Sequence, residues 1–599
     1  MASRRQNPRA GDSERMPGQQ RATEVADLLN GLDRTPSGFT LLTDGLHEIR
    51  RGPGGAVSFV RLCGRIEVTG ITHDEFGQEY GRVVEFDTID NERRQRVVQA
   101  RRLVSSPGHV VGDLIDDGLD VELGQQRRVA ACLYSWRTSA RVTITRRRGW
   151  QAGHGAFVLP DETTLGETRV MYVGPVDRRS AADGGTLDGW RDEIAALASG
   201  NPLLVVAVAT AFTGPLVEPL GLENAMLHLR GGSSCGKSTL LGCAASVWRG
   251  PDGVRRWRAT DNGLEGVAER SNGMLLALDE LAEIDGKAAD AASYMLGNGQ
   301  GKARATSTGA IATAAHWRLT ILSSGEISLG EKLAEAGRTA KAGQAVRALD
   351  VAADARTFGA FDDLHGFEDG RVFSDALRDA AVRHHGTAGP EFVRALLRDL
   401  PFESDNARQI MAGFICKAED RHPGTGTGVP GRARKHLAGI AAGGELATKF
   451  GITGWKVGEA TDAALDVFGL WLDGRGAHED PFDADAIARI RSFLAQAHDR
   501  IRDLDKPSTI LDPVAYAKGD YIFVPGKVWD CVYGDESRKR AAQALRRRGL
   551  LEFGDGRNIK ARMPTGVMEE SRGYKLTRSI LDDTLSETSE MSEETGNTR

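Results

Sequence analysis

The stretch Gly231-Gly232-Ser233-Ser234-Cys235-Gly236-Lys237-Ser238-Thr239 constrains this chain more than any other, because it fits the pattern G-x-x-x-x-G-K-[ST]. A short apolar segment, Ala225 to Arg230 (AMLHLR), runs into it, and a helix-forming segment, LLGCAASVW, leaves it. That context matters more than the letters. Glycines let successive backbone N–H groups face one concavity, and the N-terminus of the following helix adds partial positive charge. The stretch is therefore expected to cradle the phosphates of ATP. Lys237 would reach the β- and γ-phosphates, and Ser238 would give its hydroxyl oxygen to Mg²⁺.

A partner motif lies about 40 residues downstream in Met274-Leu275-Leu276-Ala277-Leu278-Asp279-Glu280. An apolar strand here delivers two carboxylates at its C-terminal end, where parallel sheets present ligands. Asp279 is placed to partner Mg²⁺, and Glu280 to act as base for an attacking water. A further strand, Trp317 to Leu322, ends in Ser323-Ser324-Gly325-Glu326, and Ser324 or Ser323 is a candidate γ-phosphate sensor. Hydrolysis shared between subunits needs a cation supplied by a neighbour. Arg338 and Arg347 in GRTAKAGQAVRALDV are the candidates, Arg347 being preferred.

The 599 residues are too many for one hydrophobic core, and their composition, 40% hydrophobic and 27% charged, is that of a globular protein. The sequence holds no apolar run of about 18 residues, which argues against a membrane partner. Six cysteines without C-x-x-C pairing fit a reducing cytoplasm and give no zinc pattern. A net charge of −6 means that nucleic-acid affinity must come from local patches.

The expected organisation is multidomain α/β. Residues 1–21 read as a disordered tail and 22–180 as a strand-rich domain, with alternating segments at 57–71, 82–89 and 141–150. A linker near 179–186 precedes the P-loop ATPase core, 187–370, which opens with helical spacing of Leu187, Trp190, Ile194 and Leu197. Helical segments near 373–400, 406–420 and 455–473 occupy a lid or linker over 371–480. Residues 483–580 run helix, strand (YIFVP), basic helix and hairpin, an order that suggests a winged helix. The acidic end, 581–599, reads as disordered.

Two segments are candidates for DNA. The turn-rich stretch 297–317 predicts a hairpin that would enter a ring's pore, with Lys302 and Arg304 on the phosphates of a single strand. The basic helix carrying Arg540 and Arg547, with Lys560 on the hairpin, would meet duplex DNA. Arg146-Arg147-Arg148 is a third basic run, equally readable as a charged strand end.

The segments GWQAGHGAFVLPD (149–161), GWRDEIAALASGNPLLVVAVATAFTGPL (189–216), LHLRGGSSCGKSTLLGCAASVWRGP (227–251), WRATDNGLEGVAERSNGMLLALDEL (257–281), YMLGNGQGKARA (294–305) and WRLTILSSGE (317–326) follow one another in order. Over about 145–352 they resemble the mobile-element family called domain of unknown function 927, which belongs with primase-helicase-like ATPases of phages and integrative elements. The resemblance implies an AAA+-like core and similarity to the self-loading replicative helicases of staphylococcal chromosome cassettes, ring helicases of the minichromosome-maintenance type. It departs at the sensor, where such helicases carry Asn and this chain has Ser323-Ser324. The expected activity is ATP hydrolysis driving a homo-hexameric DNA helicase or translocase, with a primase or other replication proteins as further partners. The rival is an ATP-binding switch that recruits a host helicase without unwinding DNA.

Overall fold

The computed structural model describes residues 35–581, apart from 167–168, 176–182, 303, 306–310, 313, 336–347, 427, 478–480, 548–549, 553–559, 566 and 568–570. The chain forms two compact units, Met1–Trp471 and Leu472–Arg599. The fold is multidomain α/β, with a strand-rich N-terminal region followed by helical segments.

Strand Ile66–His73 alternates buried and half-buried residues along its whole length, the period of a sheet with one face on a core. It pairs antiparallel with Gly81–Asp87, which pairs with Arg93–Gln99, and parallel with Arg141–Thr145, which carries Val170–Tyr172 outside it. Helices Ala100–Ser105, Pro107–Asp116 and Gln126–Ser135 cover this sheet, burying Leu103, Val111, Leu114, Val129 and Leu133 against Ile66, Val84 and Phe86. The sequence reading expected strands here and missed these helices.

The apolar run that begins at Pro202 is the helix Pro202–Val217, buried from Leu203 to Val217. Such a helix has no polar face because it is the middle of a core. It packs against the helix Gly428–Lys449, and the approach is close. A Cβ on Gly443 would stand 2.6 Å from Thr213 Oγ1 and 2.9 Å from Thr213 N. Among the described residues no helix is long and apolar enough to cross a membrane.

Beside this helix lies a five-stranded parallel sheet. Its spatial order is Val254–Arg256, Leu275–Asp279, Thr320–Gly325, Ala225–Arg230 and Ala348–Ala352. Leu275–Leu278 and all of Thr320–Gly325 are buried, as strands covered on both faces must be. The first strand in sequence, Ala225–Arg230, is thus flanked by the last two. The chain crosses from it to the far edge and returns inward, which leaves a crevice at the C-terminal ends of the strands.

In the second unit Pro481–Gln496 packs on Gly526–Arg547, a helix broken at Gly534 (φ 70°, ψ 167°). Strands Ile501–Asp503, Ala515–Lys518, Tyr521–Pro525, Arg572–Thr577 and Leu551–Glu552 form its sheet, and Ala561–Arg562 also pairs with Arg572–Thr577. Trp529 stacks on Tyr574 at 4.1 Å within a core that includes Ile490, Leu494 and Leu545.

Candidate active site

The loop between Arg230 and Lys237 bends through two positive backbone angles, φ +64° at Ser234 and +105° at Gly236. Glycine takes the second without a Cβ penalty. It also leaves room, because a Cβ on Gly236 would stand 2.9 Å from Phe361. The helix Lys237–Ser246 begins directly after it with no side-chain cap, so its first N–H groups are turned toward the crevice without a side-chain acceptor. Lys237 is nearly buried, and its Nζ donates to Gly231 O at 2.8 Å and Gly232 O at 2.6 Å. The ammonium is held by the loop's own carbonyls and points along its rim.

The strand order brings the carboxylate pair Asp279-Glu280 to this loop. Leu229 sits opposite Ser324, and Leu278 opposite Ser323, so the serine strand lies between the loop strand and the acidic strand. Successive side chains of a strand point to opposite sides. Ser324 Oγ donates to Asp279 Oδ1, whereas Ser323 turns the other way, toward His228 and Trp257. Of the two candidate sensors, Ser324 is the one at the acidic pair. Asp279 Oδ2 accepts from Ser238 Oγ at 3.3 Å, and Asp279 Oδ1 also accepts from Glu280 N at 3.1 Å. Glu280 follows with φ 63° and ψ 68°, a left-handed conformation that costs a residue with a side chain of this kind about 1 kcal/mol or more. Strain of this kind gathers at functional sites, where the surrounding structure holds it in place.

A segment that sequence reasoning passed over clamps the loop from outside. Asp354 Oδ2 accepts from Gly232 N at 2.9 Å, and Ala360 N donates to Cys235 O at 2.8 Å. Gly359 (φ +73°) permits this approach, since a Cβ there would lie 2.6 Å from Cys235 O. Thr239 Oγ1 meets Ser374 Oγ at 2.5 Å. Contacts between segments this far apart in sequence leave no local residue pattern to read. The histidine inside the apolar strand AMLHLR is different: a polar side chain in a strand buried on both faces was a visible signal.

Of the residues singled out from sequence, the structure brings together the loop Gly231–Thr239, Asp279, Glu280 and Ser324. Lys302 is exposed at the start of an antiparallel hairpin whose rungs include Gln300 with His316 and Arg304 with Ala312. Arg338 and Arg347 lie outside the described residues, as do the side chains of Arg304 and Arg547. Arg540 is half-buried in the second unit, and Lys560 Nζ stands 5.5 Å from the Tyr574 ring centre. Among the described residues no group of three or more His, Cys, Asp or Glu is gathered to hold a metal.

Residues 43–316 match the family model described as Domain of unknown function (DUF927). These residues make up just under half of the chain and are similar to that family. The match begins well before the start expected from sequence, taking in the strand-rich region. It stops short of the serine strand, so the matched region contains the loop, Asp279 and Glu280 but not Ser324. A solved structure described as SCCmec type IV Cch, active helicase, shares the fold. It superposes with a TM-score of 0.63 at 19% identity, covering 91% of this chain and 99% of that one. No curated protein matches the chain. The chain thus resembles that helicase in fold over nearly its whole length.

Proposed function

We propose that this protein is an ATP-dependent DNA helicase or translocase of a phage or integrative element, working as a ring. The observation that carries the reading is the convergence of Ser238 and Ser324 on Asp279, beside a strained Glu280 and under the Lys237 loop. Phosphoryl transfer is catalysed mainly by positioning and charge stabilisation, and each requirement has a residue here. The loop amides and Lys237 would bind the β- and γ-phosphates. Glu280 would orient the attacking water and accept its proton, and Ser324 would hold Asp279 in line. Hydroxyl and carboxylate oxygens at 3.3 Å suit a hard divalent cation, so Ser238 and Asp279 would hold Mg²⁺, which when bound neutralises charge on the phosphate oxygens.

The five-stranded order, with the serine strand between loop strand and acidic strand, supports an AAA+-like core. The fold shared with a solved helicase supports DNA as the partner. The hairpin rungs around 300–316 support a pore element carrying Lys302 and Arg304. In the second unit, a broken helix followed by strands supports a winged helix offering Arg540, Arg547 and Lys560 to duplex DNA. Arg338 and Arg347 remain the cations proposed for the neighbouring site.

A forked DNA substrate tests this. ATP-dependent strand separation is the expected result. ATP hydrolysis with no separation on any fork polarity would overturn it in favour of a nucleotide-driven recruitment switch.

A further inference from the structure

His228 is a buried base that the chemistry above does not use. It stands in the middle of the loop strand, fully buried, opposite Ser323 on one neighbouring strand and Asp350 on the other. Its Nε2 lies 3.0 Å from Ile327 O, which can only accept, so Nε2 carries the proton and Nδ1 accepts. The 2.9 Å contact between Nδ1 and Ser323 Oγ is therefore Ser323 donating to His228. Ser323 Oγ in turn accepts from Trp257 Nε1 at 2.8 Å. Three hydrogen bonds thus run one way, from Trp257 through Ser323 and His228 to the Ile327 carbonyl. Burial lowers the pKa of His228 and favours this neutral form, while burial of Asp350 pushes its carboxyl up.

The chain of bonds closes on the acidic pair. Trp257 N donates to Asp279 O at 3.0 Å, and Ser324, the residue after Ser323, donates its hydroxyl to Asp279 Oδ1. Both ends of the Trp257–Ser323 link therefore rest on Asp279, and His228 decides which way the Ser323 hydroxyl points. We propose that His228 is a positioning residue: by fixing Ser323 it fixes the strand tip from which Ser324 holds Asp279 in register for hydrolysis. This rests on the reading of the site as an ATPase.

The test compares His228→Leu with His228→Asn in the full chain, measuring kcat and KM for ATP. Leu fills the space without polar atoms, whereas the Asn side-chain oxygen can still accept from Ser323. The expected result is a kcat lowered about tenfold in His228→Leu with KM within about twofold, and most of kcat recovered in His228→Asn. A purely structural role would lower the amount of folded protein and leave kcat per folded molecule unchanged. If His228→Leu does not fold, Trp257→Phe and Ser323→Ala address the same link. Each should lower kcat, and together they should cost no more than one alone. An unchanged kcat in His228→Leu, equal losses in Leu and Asn, or fully additive losses in the Trp257 and Ser323 pair would overturn the proposal. A wild-type chain that hydrolyses no ATP would instead sink the ATPase reading itself, so the two failures are distinguishable.

Discussion

Ser238 Oγ and Asp279 Oδ2 stand 3.3 Å apart, joining the helix after the Gly231–Gly236 loop to the tip of the acidic strand across 41 residues of sequence. The other oxygen of the same carboxylate accepts from Ser324, carried by the strand that lies between the loop strand and the acidic strand. Replacing Ser238 by Ala removes one of the two oxygens proposed for Mg²⁺. We expect hydrolysis to fall about tenfold to a hundredfold and the Mg²⁺ concentration for half-maximal rate to rise. A magnesium titration of steady-state hydrolysis on both proteins checks this.

Asp354 restrains the loop through Gly232 N but has no proposed contact with the reaction. Asp354→Ala should therefore loosen the nucleotide site rather than its chemistry. The expected change is a KM for ATP raised about three- to tenfold, the worth of one hydrogen bond, with kcat little altered. Steady-state kinetics at saturating Mg²⁺ would reveal the split.

Gly443 faces the backbone of Thr213 across the two buried helices, leaving no space for a methyl group. Gly443→Ala should destabilise the first unit by about 1–3 kcal/mol through overpacking. The measurement is the urea midpoint of the transition that removes the helical signal. An unshifted midpoint would mean that the helices separate at little cost.

Arg540 and Lys560 belong to the second unit, proposed to bind duplex DNA. Replacing each by Ala should weaken duplex binding across unrelated sequences. It should also lower the slope of log affinity against log salt by about one per residue. Fluorescence anisotropy at several salt concentrations gives that slope directly.

Much of the candidate site was legible in the sequence because it is written in local segments. The loop, the apolar strand ending in Asp279-Glu280 and the apolar strand ending in Ser323-Ser324 each carry their chemistry at their own tips. The strand order that brings them together was not written there, and it is what separates Ser324 from Ser323. The helix Gly428–Lys449 escaped notice because five glycines in it lower local helix propensity, while tertiary packing of its small residues forms it regardless. The helices at 100–135 were hidden by strong alternation on either side of them. The clamp was not legible because Asp354 meets Gly232 across 122 residues of sequence, a pairing that no local pattern records.

The central claim is that Glu280 is the base of a DNA-coupled ATPase. Its most direct test is the ATP hydrolysis rate of wild type and Glu280→Gln, each with and without single-stranded DNA. The account predicts hydrolysis stimulated by DNA in wild type and lowered at least about a hundredfold in Glu280→Gln, with nucleotide binding retained. A Glu280→Gln variant that hydrolyses ATP at the wild-type rate, or a wild-type rate indifferent to DNA, would contradict it.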